Sequence, residues 1–283
     1  MIYSDKLIPV SKNYAKEIQT TEYSGNLHKT IQQNKKKIIG IVNGIDQNYW
    51  NPKTDPLLKH KYSSKSSKSS FIKIKKQNKR LLQKILKLKQ RDVPIICSIG
   101  RLVEQKGPQL IKHAILQSIK KDIQFVLLGS TFNKINSKIF HDLKKSLKYN
   151  KNVSFNFSFN EPLSHIIFAA SDFIIIPSRC EPCGLTQIIA FQYGCMPIVR
   201  KTGGLADTVF DLEEKSISKS KRNGFTFREF SIEGVDSALD RAIEFWHKKN
   251  DQFYSILLKH LKNDFSWKTT AKKYIKEYKK LLT

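Results

Sequence analysis

Residues 172–200 read DFIIIPSRCEPCGLTQIIAFQYGCMPIVR. The segment opens on a short β-branched and aromatic run and passes through a turn rich in Pro, Cys and Gly. Apolar residues at helical spacing follow, and a second short apolar run closes it. Strand, loop, helix and strand make one βαβ unit. Strands that are apolar throughout belong to a parallel sheet covered on both faces. Similar runs occur on either side: IIGIVN (38–43), VPIICSIG (93–100), IQFVLLGS (123–130), VSFNFSF (153–159) and GFTF (224–227). Helical spacing recurs over 108–121, 162–170, 185–193 and 235–248, as in PQLIKHAILQSIKK with Leu110, Ile111, Ala114, Ile115 and Ile119 on one stripe. The alternation predicts an α/β fold, a doubly wound parallel sheet of Rossmann-like type.

Two segments depart from this pattern. Residues 60–92 start as a Ser/Lys run, expected to be an exposed loop over about 60–75, and end in a basic helix from about Lys79 to Leu88. Near the C-terminus, FSWKTTAKKYIKEYKKLL predicts a helix with Ser266 as N-cap and Trp267, Ala271, Tyr274, Ile275, Tyr278 and Leu281 along one face.

The chain has 283 residues, enough to bury a core, and 40% of them are hydrophobic. No apolar run reaches the roughly 20 residues that span a bilayer, so no membrane role is expected. The first residues, MIYSDKLIPVSKNYAKEIQ, lack the apolar core of a secretory signal. Four cysteines without such a signal are expected as free thiols in a cytoplasmic setting, with a plastid as the alternative. The net charge of +27 invites a nucleic-acid reading. Against it, the cations are mostly Lys, whereas base readout favours the Arg fork, and they are spread along the chain. No nucleic-acid partner is expected, and such a field equally favours a small polyanionic substrate.

Three strand-end loops carry candidate chemistry. In SRCEPCGLTQ (178–187), Cys180 and Cys183 read either as a metal or redox pair or as two small buried side chains. A zinc site needs two more ligands, and no His lies nearby in sequence; no metal and no cofactor are expected. Glu181 lies just beyond a strand's carboxyl end, where open α/β sheets bind ligands. Gly184, Leu185 and Thr186 open a helix whose free N–H groups favour an anion. In GRLVEQKG (100–107), Arg101 and Lys106 project from one loop and read as neutralisers of a diphosphate or as solvated cations. In RKTGGLADTVFD (200–211), Thr202, Gly203 and Gly204 lead into another helix.

These motifs, with NGIDQNYWNP (43–52), VSKNYAKEIQT and DFSWKTTAKKY, resemble the C-terminal half of bacterial glycogen synthases and plant soluble starch synthases, over nearly the whole chain. The resemblance implies the C-terminal, Rossmann-like domain of a GT-B two-domain glycosyltransferase. It implies transfer of glucose from ADP-glucose (UDP-glucose in some relatives) to the non-reducing end of an α-1,4-glucan, with retention and without a metal. In that family's pattern Arg101 and Lys106 bind the diphosphate and Glu181 contacts the donor glucose. Leu185 and Thr186 give amides to the distal phosphate, and Phe159 stacks the adenine. Gly203 and Gly204 line the donor site, and Asn43 lies near the glucose.

The pattern also places residues 1–50 at the end of a first domain and its connection, 51–265 in the nucleotide-sugar-binding domain, and 266–283 in the terminal helix. The first domain's lysine-glycine-glycine-leucine loop and its acceptor surface have no counterpart here, so a missing N-terminal domain or partner is expected. Two other readings stand beside this one: a non-catalytic nucleotide-sugar-binding module, and another retaining glycosyltransferase.

Overall fold

The computed structural model describes residues 1–131 and 134–282. Three short helices come first: α1 (Lys12–Glu17), α2 (Thr21–Ser24) and α3 (His28–Gln33). After an extended lead, α4 (Lys68–Ile85) precedes an alternating series. This runs β1 (Ile95–Ile99), α5 (Pro108–Lys120), β2 (Gln124–Leu128), α6 (Lys134–Ser146), β3 (Val153–Asn156), α7 (Glu161–Ala170), β4 (Phe173–Ile176), α8 (Thr186–Gln192), β5 (Met196–Arg200), α9 (Gly203–Thr208), β6 (Phe225–Phe227) and α10 (Ile232–Lys248). Helices α11 (Asn250–His260) and α12 (Trp267–Leu282) follow.

The six strands form one sheet in the order β3-β2-β1-β4-β5-β6, and every pairing is parallel. Parallel strands need crossovers, and the helices supply them. Helix α5 packs on β2 and α10, while α7 packs on β1 and α4, so both faces are covered. The strand sequences answer to this: IICSI, QFVLL, FIII and MPIVR are buried nearly throughout, with no polar face to show to water. Strand order reverses where β1 pairs with β2 on one side and β4 on the other. That reversal is a topological switch point, which opens a crevice at the strands' carboxyl ends.

Two expectations are corrected. IIGIVN (38–43) is not a strand of the sheet. It is an extended segment beside residues 7–9, where Ile39 N donates to Leu7 O and Ile41 N to Pro9 O, each at 2.9 Å. The basic helix begins at Lys68 rather than Lys79, and the exposed Ser/Lys loop stops before it. Ser67 caps this helix by accepting from Ser70 N at 3.2 Å. The buried face runs Phe71, Lys75, Lys79 and Leu82, so two lysines occupy core positions. Lys79 Nζ lies 2.7 Å from Asp172 and 3.0 Å from Val93 O, and Lys75 Nζ donates to Ser171 O at 2.9 Å. Tyr62, also inside the expected loop, is buried with its hydroxyl on Tyr193 O at 2.7 Å.

Helix α12 forms as expected, and Ser266 Oγ accepts from Thr269 N at 3.3 Å. Its aromatic stripe, however, points outward. Trp267, Ile275, Tyr278 and Leu281 are exposed, while Thr270 and Glu277 face the body and Thr270 Oγ1 donates to Val42 O at 3.2 Å.

Candidate active site

The β1–α5, β4–α8 and β5–α9 loops meet at the carboxyl edge of the sheet, beside the switch point. Gly107 allows the first two to touch. It holds φ +67, and a Cβ there would overlap the carbonyl oxygen of Pro177. Arg179 N then donates to Gln105 O at 2.9 Å, and Gln105 Nε2 to Cys180 O at 3.0 Å. These bonds bring Lys106 and Glu181 together. Glu181 is only 6% exposed, and its Oε2 accepts from Lys106 Nζ at 2.5 Å and from Ser178 Oγ at 2.8 Å. A buried carboxylate needs such charged and hydrogen-bonding partners.

Arg101 sits on the other side of the same loop, exposed and without an ion pair among the described residues. It borders a cavity of about 210 Å³, lined also by Trp50, Ile99, Leu128, Ser130 and Phe159. Phe159 is 87% exposed at its rim. An aromatic face left in water beside an apolar hollow is what stacking on a planar heterocycle requires. Leu185 and Thr186 begin α8. As its first residues they have no intrahelical acceptor for their N–H groups, and Leu185 is 43% exposed.

Thr202, Gly203 and Gly204 belong to the floor of the site rather than its open side. All three are buried. A Cβ on Gly203 would overlap Glu181 O, and one on Gly204 would overlap Cys183 O. Gly204 N donates to Glu181 O at 2.9 Å. The absence of side chains lets α9 support the Glu181 loop by direct backbone contact. The amide end of α9 is already taken by a residue that sequence reading missed: Glu17 Oε1 accepts from Gly203 N at 2.9 Å and from Thr202 Oγ1 at 3.0 Å. Asn43 reaches the same loop through its backbone, which hydrogen-bonds the Cys183 thiol.

The cysteines are all free. Burial, then the charges of Glu17 and Glu181, push the Cys180 thiol up to about 11, so it is a protonated thiol at neutral pH rather than a nucleophile. Burial also raises Cys183. Among the described residues no group of three or more His, Cys, Asp or Glu is placed to hold a metal ion, and no helix is long and apolar enough to cross a membrane. Two larger hollows, of about 430 and 440 Å³, are lined by neither Arg101, Lys106 nor Glu181.

The fold is an α/β domain that gathers Arg101, the Lys106–Glu181 pair and the exposed Phe159 ring at the carboxyl edge beside its switch point. Residues 80–255 match the family of group 1 glycosyl transferases, and the chain belongs to that family. It is 41% identical over 280 residues to glycogen synthase 1 of Trichormus variabilis, covering 98% of this chain and 56% of the relative. Glycogen synthase of Protochlamydia amoebophila is likewise 41% identical, over 290 residues and 57% of its length. Among solved structures, the catalytic domain of starch synthase IV from Arabidopsis thaliana, bound to ADP and acarbose, superposes with a TM-score of 0.93. The two are 41% identical, over 99% of this chain and 56% of the other. The chain thus spans little more than half the length of the relatives it matches.

Proposed function

We propose that this chain is the donor-binding half of an ADP-glucose-dependent α-1,4-glucan synthase of the glycogen and starch synthase type. The observation that carries the reading is the Lys106–Glu181 pair at the switch point, beside the cavity rimmed by Phe159. The adenine stacks on Phe159 over the apolar hollow, with Arg101 and Lys106 on the diphosphate and the Leu185 and Thr186 amides on its distal phosphate. Glu181 accepts from glucose hydroxyls once Lys106 turns to the phosphate. Charge build-up on the departing ADP is met by cations already in place, which is where such sites stabilise a transition state most. The glucan acceptor then attacks from the face where the leaving group departs, giving retention. The ADP in the starch synthase IV structure supports adenine over uracil as the base.

Residues 1–50 serve as the end of a first domain and its connection, 51–265 as the donor domain, and 266–283 as a helix returning toward that first domain. The acceptor surface belongs to the other half, as a further domain or a separate chain. The exposed stripe of Trp267, Ile275, Tyr278 and Leu281 favours such a partner. A cytoplasmic or plastid setting suits a sugar-nucleotide enzyme with free thiols. A second reading is a nucleotide-sugar-binding module without turnover.

Calorimetry on the purified chain tests the proposal, with ADP-glucose and UDP-glucose as ligands. Micromolar to millimolar ADP-glucose binding that is lost in Lys106→Ala is expected. Binding of neither sugar nucleotide refutes the donor site. Adding the N-terminal half of a related synthase then separates enzyme from binding module by glucose incorporation into glycogen.

A further inference from the structure

Helices α1 and α9 exchange carboxylates. Asp207 of α9 accepts with Oδ2 from Lys12 N at 2.5 Å and Asn13 N at 3.1 Å, the first amides of α1. In return, Glu17 at the end of α1 sits on the first amide of α9. Its Oε1 accepts from Gly203 N at 2.9 Å, Thr202 Oγ1 at 3.0 Å and Asn13 Nδ2 at 2.8 Å. Its Oε2 is buried with no partner among the described residues. Each helix therefore satisfies the free amides of the other with a negative charge at its positive end. The contact spans more than half the chain, from α1 to the β5–α9 loop.

From α9 the contact continues to the site. Gly204 N holds Glu181 O, and Gly203 and Gly204 lie against the Glu181 and Cys183 carbonyls with no room for a Cβ. Any shift of the start of α9 must displace the backbone of residues 181–183, which carries Glu181 and leads to the Leu185 and Thr186 amides. Arg200 Nη1 ties the strand end before α9 to Arg179 O at 2.6 Å, and Glu17 holds the first amide of α9 itself from the opposite side. We infer that Glu17 is a positioning residue: through Thr202 and Gly203 it fixes the loop that presents Glu181 and the first amides of α8 to the donor. The role rests on the donor-site reading above for its functional meaning, but its structural part is independent of any ligand.

The test uses the full chain as wild type, Glu17→Ala, Glu17→Gln and Thr202→Val. Hydrogen exchange is followed by mass spectrometry over residues 177–185 and 199–208, and Cys180 alkylation by iodoacetamide is timed. ADP and ADP-glucose affinities come from calorimetry. In Glu17→Ala, exchange at Gly203, Gly204 and the Glu181 loop is expected to speed up by about tenfold or more, as for a lost local anchor. Cys180 should alkylate faster as well. Glu17→Gln keeps an acceptor oxygen and should leave hydrogen exchange near wild type, while its Cys180 alkylates faster because the charge that raises the thiol is gone. ADP-glucose affinity should fall about tenfold in Glu17→Ala and ADP affinity by less, because the displaced loop carries both Glu181, which meets the sugar, and the amides that meet the distal phosphate.

Equal exchange in wild type and Glu17→Ala overturns the inference whatever the alkylation and ligand data say. A wild-type chain that binds neither ADP nor ADP-glucose refutes the donor site instead, and the exchange rates still decide the positioning role. Should Glu17→Ala not fold, Thr202→Val, which removes one donor and leaves the carboxylate, carries the same comparison.

Discussion

Lys106→Ala is the most informative substitution, because the Lys106–Glu181 pair is asked both to hold the loops and to meet the donor. The side chains are 24% and 8% exposed. Breaking a fully buried pair costs about 3–5 kcal/mol, because the remaining charge is stranded. An exposed pair is worth about 0.2–1 kcal/mol. Glu181 is nearly buried, but it keeps Ser178 Oγ at 2.8 Å, and Lys106 is partly screened by water. The substitution should therefore lower unfolding stability by about 2 kcal/mol. Glu181→Gln removes the stranded charge, so the double variant should recover about half of that loss, and a double-mutant cycle reads the coupling directly.

The ligand arm moves differently. Losing a preorganised cation on the diphosphate costs roughly 3 kcal/mol, about a hundredfold in affinity for ADP and ADP-glucose alike. Glu181→Gln alone frees Lys106, so ADP affinity should hold or rise while the preference for ADP-glucose over ADP falls. Urea denaturation and calorimetry on the same four proteins give every number. Additive stability effects together with unchanged ADP affinity in Lys106→Ala would refute the pairing and the phosphate role together.

Phe159→Ala should weaken ADP binding by about 1–2 kcal/mol, the scale of base–aromatic stacking, and leave the urea midpoint unmoved because the ring packs against little; calorimetry beside denaturation checks both. Cys180→Ser should keep ADP-glucose affinity within about twofold, since the protonated thiol offers neither charge nor nucleophile; loss of binding with the fold intact would reinstate the cysteine pair. Burial lowers Lys75 to about 8, so between about pH 8 and 10.4 the unfolded chain holds the extra proton and the Lys75 contribution to stability rises with pH, against the buried thiols and tyrosines, whose raised values pull the other way; stability of Lys75→Met relative to wild type should therefore fall as pH rises through that window in urea titrations. Burial lowers His260 to about 3, so its contribution is complete above about pH 6.5 and is lost as pH falls toward 3; His260→Phe, placed against Phe191, should blunt acid unfolding followed by circular dichroism.

The strands were legible because a parallel sheet buried on both faces leaves a strong local mark: short β-branched runs with no polar alternation. The carboxyl-edge loops were legible for a related reason. In a parallel sheet every strand-to-helix loop emerges on one edge, so Arg101, Lys106 and Glu181 had to be neighbours once the strands were assigned. The start of α4 was not legible, because Lys75 and Lys79 look like solvent residues. Their partners, Ser171 and Asp172, lie nearly a hundred positions away. IIGIVN carries a strand's composition but reaches no sheet edge, and composition does not encode that. Glu17 was invisible for the same reason as the lysines: a glutamate in a six-residue basic helix resembles a solvated one until the fold places Gly203 against it.

On the donor-site reading proposed above, the charges at the edge favour binding of a sugar diphosphate over its turnover. Of the two cations in the β1–α5 loop, Lys106 is already matched by Glu181, and only Arg101 lacks an ion-pair partner among the described residues. A sugar diphosphate brings about two negative charges, more than this loop offsets while Lys106 stays paired. The Leu185 and Thr186 amides and the field of a +27 chain suffice to attract the ligand, since a long-range field raises local anion concentration without contact. Transfer asks for more, because the leaving diphosphate gains charge as the glycosidic bond breaks and water must be kept away from the sugar. Orientation of the acceptor alone is worth roughly 7–11 kcal/mol. On the proposed reading, a domain seated against the outward stripe of α12, with Trp267, Ile275, Tyr278 and Leu281 exposed, would present the acceptor and keep water from the sugar.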